Sequence, residues 1–150
     1  MTERHDIPTD PQALAEAVAT AMWSRDRAAQ ALGMRIEAVG PGTATLSMLV
    51  RGDMVNGHHI CHGGLIFSLA DTAFAYACNA YNEVTVASGF DVSLVAPGRL
   101  GDVLTATCTE QHKAGRTGVY DIEVVNQRGE RVALFRGRSY TVKGKPVVQL

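Results

Sequence analysis

Several features are scarce in this chain, and each scarcity excludes a class of protein. Its 150 residues carry a net charge of −1 and only 6% aromatic side chains, with no basic block, which argues against nucleic acid as a ligand. No apolar run is long enough to span a bilayer, and the polar start MTERHDIPTD lacks the apolar core of a signal peptide. We therefore expect no membrane partner and a cytoplasmic location.

Cysteine is scarce as well. Cys61, Cys78 and Cys108 are an odd number of thiols without the paired spacing of a disulfide framework, so we expect all three to be reduced. Hydrophobic residues make up 46% of the chain, which is typical of a globular protein. This length and composition predict one domain, residues 1–150, with a substantial core.

Segments of alternating apolar and polar residues, separated by glycine and proline turns, predict about six strands. They lie at about 34–39, 43–50, 84–95, 103–112, 117–127 and 131–142. An alanine-rich helical extension at about 10–32 precedes them, starting at Asp10-Pro11 and stopping at Gly33, with a break near Ser24 left open. Together with the long helix described next, these elements predict an α+β fold in which a curved, mostly antiparallel sheet wraps one central helix.

The most informative stretch is Asn56 to Asn79, NGHHICHGGLIFSLADTAFAYACN. Its first half is a polar loop that ends in Gly63-Gly64, and the apolar run that follows is long and free of proline, which predicts a buried helix. Ser68, Asp71 and Thr72 share one face of that helix. A buried Asp costs several kcal/mol unless it is paired, so Asp71 indicates a functional carboxylate.

The beginning of the predicted helix complements this carboxylate. Its first backbone N–H groups have no helical partner, and glycine lets a ligand approach them closely, so a carbonyl can be polarised there. Asp71 follows Gly63 by eight residues, about 12 Å along a helix, which is too far for the two to act on one atom. We therefore expect a symmetric dimer with antiparallel helices, in which Asp71 of one chain meets Gly63 of the other.

The whole segment from Asn56 to Asn79 resembles the PaaI family of hotdog-fold thioesterases. The similarity continues through 93–98, 101–102, 117–123 and 132–137, so it covers about 34–142. It implies the hotdog fold and hydrolysis of acyl-coenzyme A thioesters, with (hydroxy)phenylacetyl-CoA of phenylacetate degradation as the expected substrate. It implies no metal and no organic cofactor.

The resemblance also implies roles for individual residues. The family's catalytic Asp falls on Asp71, its backbone donor to the thioester carbonyl on Gly63, and its polar loop residue on Asn56. The family forms homodimers with shared sites, usually paired into homotetramers. Whether Asp71 is a general base or a nucleophile stays open.

Further candidates follow from their positions. We expect His62 to fix the loop or cap the helix, with a secondary role at the thioester, and Ser88 to position water. Gly64, Ser68 and Thr72 are candidates for substrate binding, and either hydroxyl can bond Asp71. For the CoA phosphates, which need cations, the candidates are Lys113 and Arg116 in a predicted turn, and the alternating Arg136 and Arg138.

Three alternative interpretations compete with this hypothesis. His58, His59, Cys61 and His62 are of the types that bind metals, but such close neighbours converge on one ion only in a strained loop, so no metal is expected. A dehydratase of the same fold would use a His–acid pair, for which His62 is available. The third alternative is a non-catalytic acyl-CoA binding module, although such a module gains nothing from a buried carboxylate.

Overall fold

The computed structural model describes residues 6–149. Two short helices, α1 (Pro11–Trp23) and α2 (Arg27–Ala31), precede strands β1 (Arg35–Gly40) and β2 (Thr43–Leu49). A 3-10 turn (Gly52–Met54) and the polar loop lead into the long helix α3 (Gly63–Cys78). Four strands complete the chain: β3 (Thr85–Leu94), β4 (Val103–Ala114), β5 (Thr117–Val125) and β6 (Arg131–Thr141).

The six strands form one sheet in the order β1-β2-β4-β5-β6-β3, and every neighbouring pair is antiparallel. Strand β3 therefore lies at one edge, where it pairs with β6 from Thr85↔Thr141 to Leu94↔Ala133. Helix α3 contacts strands across the sheet and buries its apolar residues against them. The predicted α+β architecture, with about six strands and one central helix, is confirmed.

The core is built on close contact between α3 and the sheet. The α3 residues Leu69, Ala70, Ala73 and Ala77 are fully buried, and their small or flexible side chains let the helix lie close to the strands. Gly137 on β6 serves the same purpose, because a Cβ there would lie only 2.7 Å from the ring of Phe74.

Aromatic rings fasten α3 to the edge strand. Phe90 of β3 stacks edge-to-face on both Phe67 and Phe74 of α3, with 5.0 Å between ring centroids in each pair. Asn79, which follows α3, receives a hydrogen bond from the N–H of Thr85 at 2.9 Å and donates to the carbonyl of Thr85 at 3.0 Å. The end of α3 is therefore tied to the beginning of β3.

The N-terminal extension is two helices rather than one. Asp10 caps α1 as predicted, with its carboxylate accepting from the N–H of Ala13 at 2.9 Å. The chain then breaks after Trp23, and Asp26 caps α2 in the same way through the N–H of Ala29. Gly33 adopts φ +69°, the left-handed conformation that ends α2.

No helix within the described residues combines the length and the apolar character that crossing a membrane requires.

Candidate active site

The polar loop before α3 is organised by Asn56. Its side-chain oxygen accepts hydrogen bonds from the N–H groups of His58 at 2.9 Å and Ile60 at 3.2 Å, and its own N–H donates to the carbonyl of Ile60 at 2.9 Å. These bonds turn the chain tightly enough that His59 takes φ +59°. The amide NH2 group of Asn56 has no partner within residues 6–149, so it is available to donate to a ligand or a water.

The loop leads directly into α3. The N–H of Cys61 bonds the carbonyl of Gly98 at 2.7 Å, and the N–H of His62 bonds the carbonyl of Met54 at 2.9 Å. His62 lies at the N-cap position, but its side chain makes no capping hydrogen bond and is exposed. In the described part of the chain, the N–H groups of Gly63 and Gly64 have no hydrogen-bond acceptor.

Gly63 lies at an apolar cleft. A Cβ at this position would lie 2.7 Å from Cδ1 of Leu94, so only a residue without a side chain fits beneath Leu94 as it stands. A cavity of about 340 Å³ opens beside the glycine, lined by Ile60, Cys61, Gly63, Ile66 and residues 94–98. Gly64 has open space where its Cβ would be, so no contact within the chain requires a glycine there.

Asp71 lies two turns further along α3 and, contrary to our expectation, is exposed in the single chain. The reason is that this face of the helix points away from the sheet, toward a cavity of about 270 Å³ whose other wall is α2. Desolvation of the carboxyl, followed by the charge of Asp26, raises the pKa of Asp71. The Asp71 carboxylate has no hydrogen bond or ion pair within residues 6–149.

Ser68 and Thr72 flank Asp71 on the same face but do not bond it. The hydroxyl of Ser68 donates to the carbonyl of Gly64 at 2.8 Å, and that of Thr72 donates to the carbonyl of Ser68 at 2.7 Å. Both are the bonds to the preceding turn that Ser and Thr commonly make inside helices. Both side chains still line the cavity beside Asp71.

Within one chain the structure does not bring Asp71 and Gly63 together. They lie eight positions apart on one helix, about 12 Å of rise, and they line two different cavities. Asn56 and His62, in contrast, lie in the loop that leads directly to Gly63.

The four predicted cationic candidates lie elsewhere. Lys113 is on strand β4 rather than in a turn, with its Nζ 3.7 Å from the ring centroid of Tyr81. Arg116 is in the β4–β5 turn, and its carbonyl accepts from the N–H of Thr141, at the end of the sheet where α3 finishes. Since α3 has 16 residues and is about 24 Å long, both cations lie far from Gly63 of their own chain.

The remaining candidates are on strands at the β3 edge. Arg136 is paired with Asp121, and Arg138 with Asp91. Ser88 occupies the irregular position in the β3–β6 ladder, and its hydroxyl bonds the carbonyl of Arg138 at 3.2 Å. Across residues 6–149, no three His, Cys, Asp or Glu side chains are grouped so that they could hold a metal ion.

Two residues at this site were not predicted from the sequence. Asp26 lies close enough to Asp71 that its charge raises the pKa of Asp71. The second carboxylate oxygen of Asp26 accepts a hydrogen bond from the hydroxyl of Tyr76 at 3.2 Å. Leu94 covers Gly63 from the end of β3. Asp26 is 45 positions before Asp71, and Leu94 is 31 positions after Gly63, so no local pattern indicates either contact.

Comparison with known proteins gives one consistent family. The family model described as Thioesterase superfamily matches residues 58–133. Acyl-coenzyme A thioesterase PaaI of Escherichia coli (strain K12) is 51% identical over 126 residues, which cover 84% of this chain and 90% of that protein. A protein of Archaeoglobus fulgidus described as a putative esterase is 33% identical, over 86% of this chain and 84% of its own length.

A solved structure agrees with the sequence comparison. The structure of the E. coli PaaI protein from the phenylacetic acid degradation operon superposes with a TM-score of 0.89 and 48% identity, covering 91% of this chain and 99% of that one. The residues matched by the family model include α3 and the strands β3, β4 and β5. The chain therefore belongs to the thioesterase superfamily, within its PaaI family, and is a thioesterase with the hotdog fold.

Proposed function

We propose that this protein hydrolyses acyl-CoA thioesters in phenylacetate degradation, with (hydroxy)phenylacetyl-CoA or a related aromatic acyl-CoA as its substrate. The observation that carries the proposal is the 51% identity, over 84% of the chain, to a protein named acyl-coenzyme A thioesterase. The local chemistry supports it, because, within residues 6–149, α3 presents unpaired N–H groups at its beginning and an unpaired carboxylate on its exposed face.

In the proposed mechanism, the Gly63 N–H receives the thioester carbonyl oxygen. The negative charge that develops there is stabilised by a donor fixed in place by the fold, a contribution of about 3–4 kcal/mol in other acyl-transfer enzymes. The free NH2 group of Asn56 donates to the attacking water or to the thioester. His62 and Gly64 are placed around the same point, and Ser68, Thr72 and Ser88 are retained as candidates for contacts with substrate or water.

Asp71 supplies the attack in one of two ways. As a general base it takes a proton from water, whose oxygen then bonds to the carbonyl carbon as the C–S bond breaks. As a nucleophile it bonds to that carbon itself as the C–S bond breaks, and a water then hydrolyses the mixed anhydride, which frees the acid and restores the Asp71 carboxylate. In both cases the products are the free acid and the CoA thiol, which takes up a proton. The raised pKa of Asp71 strengthens it as a base relative to an ordinary carboxylate.

The proposal requires two copies of the chain, because Asp71 and Gly63 are far apart in one. The edge strand β3 supports a second copy, since it pairs only with β6 among residues 6–149 and seven of its ten residues are exposed. An unpaired edge of this length is usually covered in a native protein. Exposed apolar side chains at or beside this edge need the same cover, namely Val86, Val92, Leu94 and Val95. Pairing of such dimers into a homotetramer stays a prediction, as do Lys113 and Arg116 as phosphate contacts.

The test is release of free thiol from a panel of aromatic and aliphatic acyl-CoAs, with wild type beside Asp71→Asn. We expect hydrolysis of phenylacetyl-CoA by wild type and a loss of at least about 100-fold in kcat in the variant, since Asn neither accepts the proton nor attacks. Asp53→Asn is the matched control, because Asp53 on the 3-10 turn is an exposed carboxylate that pairs with Arg51.

Each alternative function gives a different result in the same assay. A binding module would release no thiol from any acyl-CoA, although it would retain affinity. A dehydratase would form an enoyl product instead of free thiol. Equal rates for wild type and Asp71→Asn would remove Asp71 from the mechanism while leaving the thioesterase activity in place.

A further inference from the structure

The cavity beside Asp71 has one polar wall and one apolar wall. Helix α3 contributes Ser68, Asp71 and Thr72, and the α2 segment opposite contributes small and aliphatic side chains. The apolar lining residues are Ala28, Ala29, Leu32 and Met34 of that segment and Ala75 of α3. A substrate carbonyl next to Asp71 at the polar wall would therefore have the apolar wall on its other side.

The α2 wall is held in a defined position. Asp26 caps α2 through the N–H of Ala29 at 3.1 Å, and its other oxygen is bound by the Tyr76 hydroxyl of α3 at 3.2 Å. The guanidinium of Arg51 bonds the carbonyl of Ala31 at the other end of α2, at 3.1 Å. Although α2 has only five residues, it is fastened at both ends.

Charge decides which part of an acyl-CoA fits this cavity. Its lining includes two carboxylates, Asp26 and Asp71, and no Lys or Arg of the described chain. Phosphate groups would be repelled there, whereas an uncharged acyl group would not. Because the acyl group and the sulfur are the two substituents of the attacked carbon, the CoA portion must then extend away from the cavity.

Size agrees with this assignment. An apolar cavity of about 150 Å³ is enough to hold benzene in another protein. The cavity here, of about 270 Å³, can therefore hold one aromatic ring with its methylene link, whereas a whole CoA needs the larger volumes typical of complete ligand sites.

We infer that the cavity between α2 and α3 is the acyl subsite, and that Ala28 and Leu32 of the α2 segment determine which acyl groups enter it. The inference rests on the proposed thioesterase function, to which it adds the position of the substrate's acyl portion. The two residues are one helical turn apart and line the same cavity as Asp71.

The experiment fills the cavity from the α2 side. Ala28→Phe should lower the ratio of kcat/KM for phenylacetyl-CoA to that for acetyl-CoA by at least about tenfold, because the added ring occupies the space of the substrate ring. Ala31→Phe is the matched control, since Ala31 is exposed on the same helix and does not line the cavity. Leu32→Ala should raise the ratio of kcat/KM for acyl groups bulkier than phenylacetyl to that for acetyl-CoA.

Binding separates this inference from the proposed function. In an Asp71→Asn background, Ala28→Phe should raise the Kd for phenylacetyl-CoA about tenfold, while Ala31→Phe should not. Thermal melting confirms that each variant is folded. An unchanged ratio and an unchanged Kd in folded Ala28→Phe would overturn the subsite even where wild type releases thiol. Absence of thiol release together with a Kd sensitive to Ala28 would contradict the proposed function and support the subsite.

Discussion

At the scale of single residues, the proposed mechanism depends on one backbone N–H at the beginning of α3. Gly63 is the first helical residue, where proline is well tolerated, and His62 before it has φ −57° and ψ 133°, the extended conformation that a residue before proline prefers. Proline at this position would therefore remove the N–H with little effect on the start of the helix.

We expect Gly63→Pro to lower kcat for phenylacetyl-CoA by about 100- to 1,000-fold, the usual cost of one oxyanion donor. Gly63→Ala is the control, because it places a Cβ against Leu94 just as proline does but keeps the N–H. Steady-state thiol release from the two variants makes the comparison. A similar loss in both would assign the glycine to packing under Leu94 rather than to catalysis.

A second prediction at this scale concerns the carboxylate pair. The charge of Asp26 disfavours ionisation of Asp71 and so raises its pKa, an effect that adds to desolvation. Asp26→Asn removes the charge while keeping the helix cap, since Asn caps as well as Asp. The pKa of Asp71 should then fall, and the acid limb of the kcat/KM profile should move to lower pH.

Rates measured across a series of buffers would show this shift, with Asp53→Asn as a control that leaves the limb in place. An acid limb that did not move in Asp26→Asn, or that moved to higher pH, would show that Asp26 does not act on the Asp71 carboxylate.

At the scale of elements, strand β3 connects the fold to the proposed shared site. Phe90 holds its centre against α3, and Leu94 at its end covers Gly63, while its outer edge lies open. A charge on this edge should oppose a second strand, because a like charge from the partner would lie nearby and apolar cover would be lost.

Val92→Lys should therefore convert a dimer or larger assembly to monomers and abolish most thiol release, as measured by sedimentation and activity on the same sample. Leu49→Lys is the matched control. Leu49 is 49% exposed, close to the 44% of Val92, but it lies on β2, away from β3 in the sheet. A monomeric Val92→Lys protein with full activity would show that each chain carries a complete site.

At the scale of the whole molecule, much of the fold could be predicted because its signals are local. Glycine and proline turns bound the strands, and the run from Gly63 to Cys78 becomes one helix, as its length and apolar character indicate. Asn56 and Gly63 lie on one continuous segment of loop and helix, so local sequence indicates both. That residues 1–150 form one domain stays a prediction.

What the sequence did not indicate depends on contacts between distant segments. The α1–α2 break places Asp26 beside α3, 50 positions before its partner Tyr76, and makes the wall of the cavity. Asp71 was predicted to be buried because α3 is apolar, yet the sheet covers only one side of the helix, and Asp71 lies on the other. Lys113 lies on β4 rather than in the predicted turn, because β4 continues two residues beyond its predicted end.

The central claim, that each site takes Asp71 from one chain and Gly63 from another, is tested most directly by mixing two inactive variants. Asp71→Asn and Gly63→Pro chains are unfolded together in equal amounts, refolded, and assayed for thiol release from phenylacetyl-CoA. Half of the resulting dimers pair the two variants, and each of these has one site with both groups intact. We predict recovery of about a quarter of wild-type activity. Refolded mixed dimers that stay as inactive as either parent would contradict the shared site.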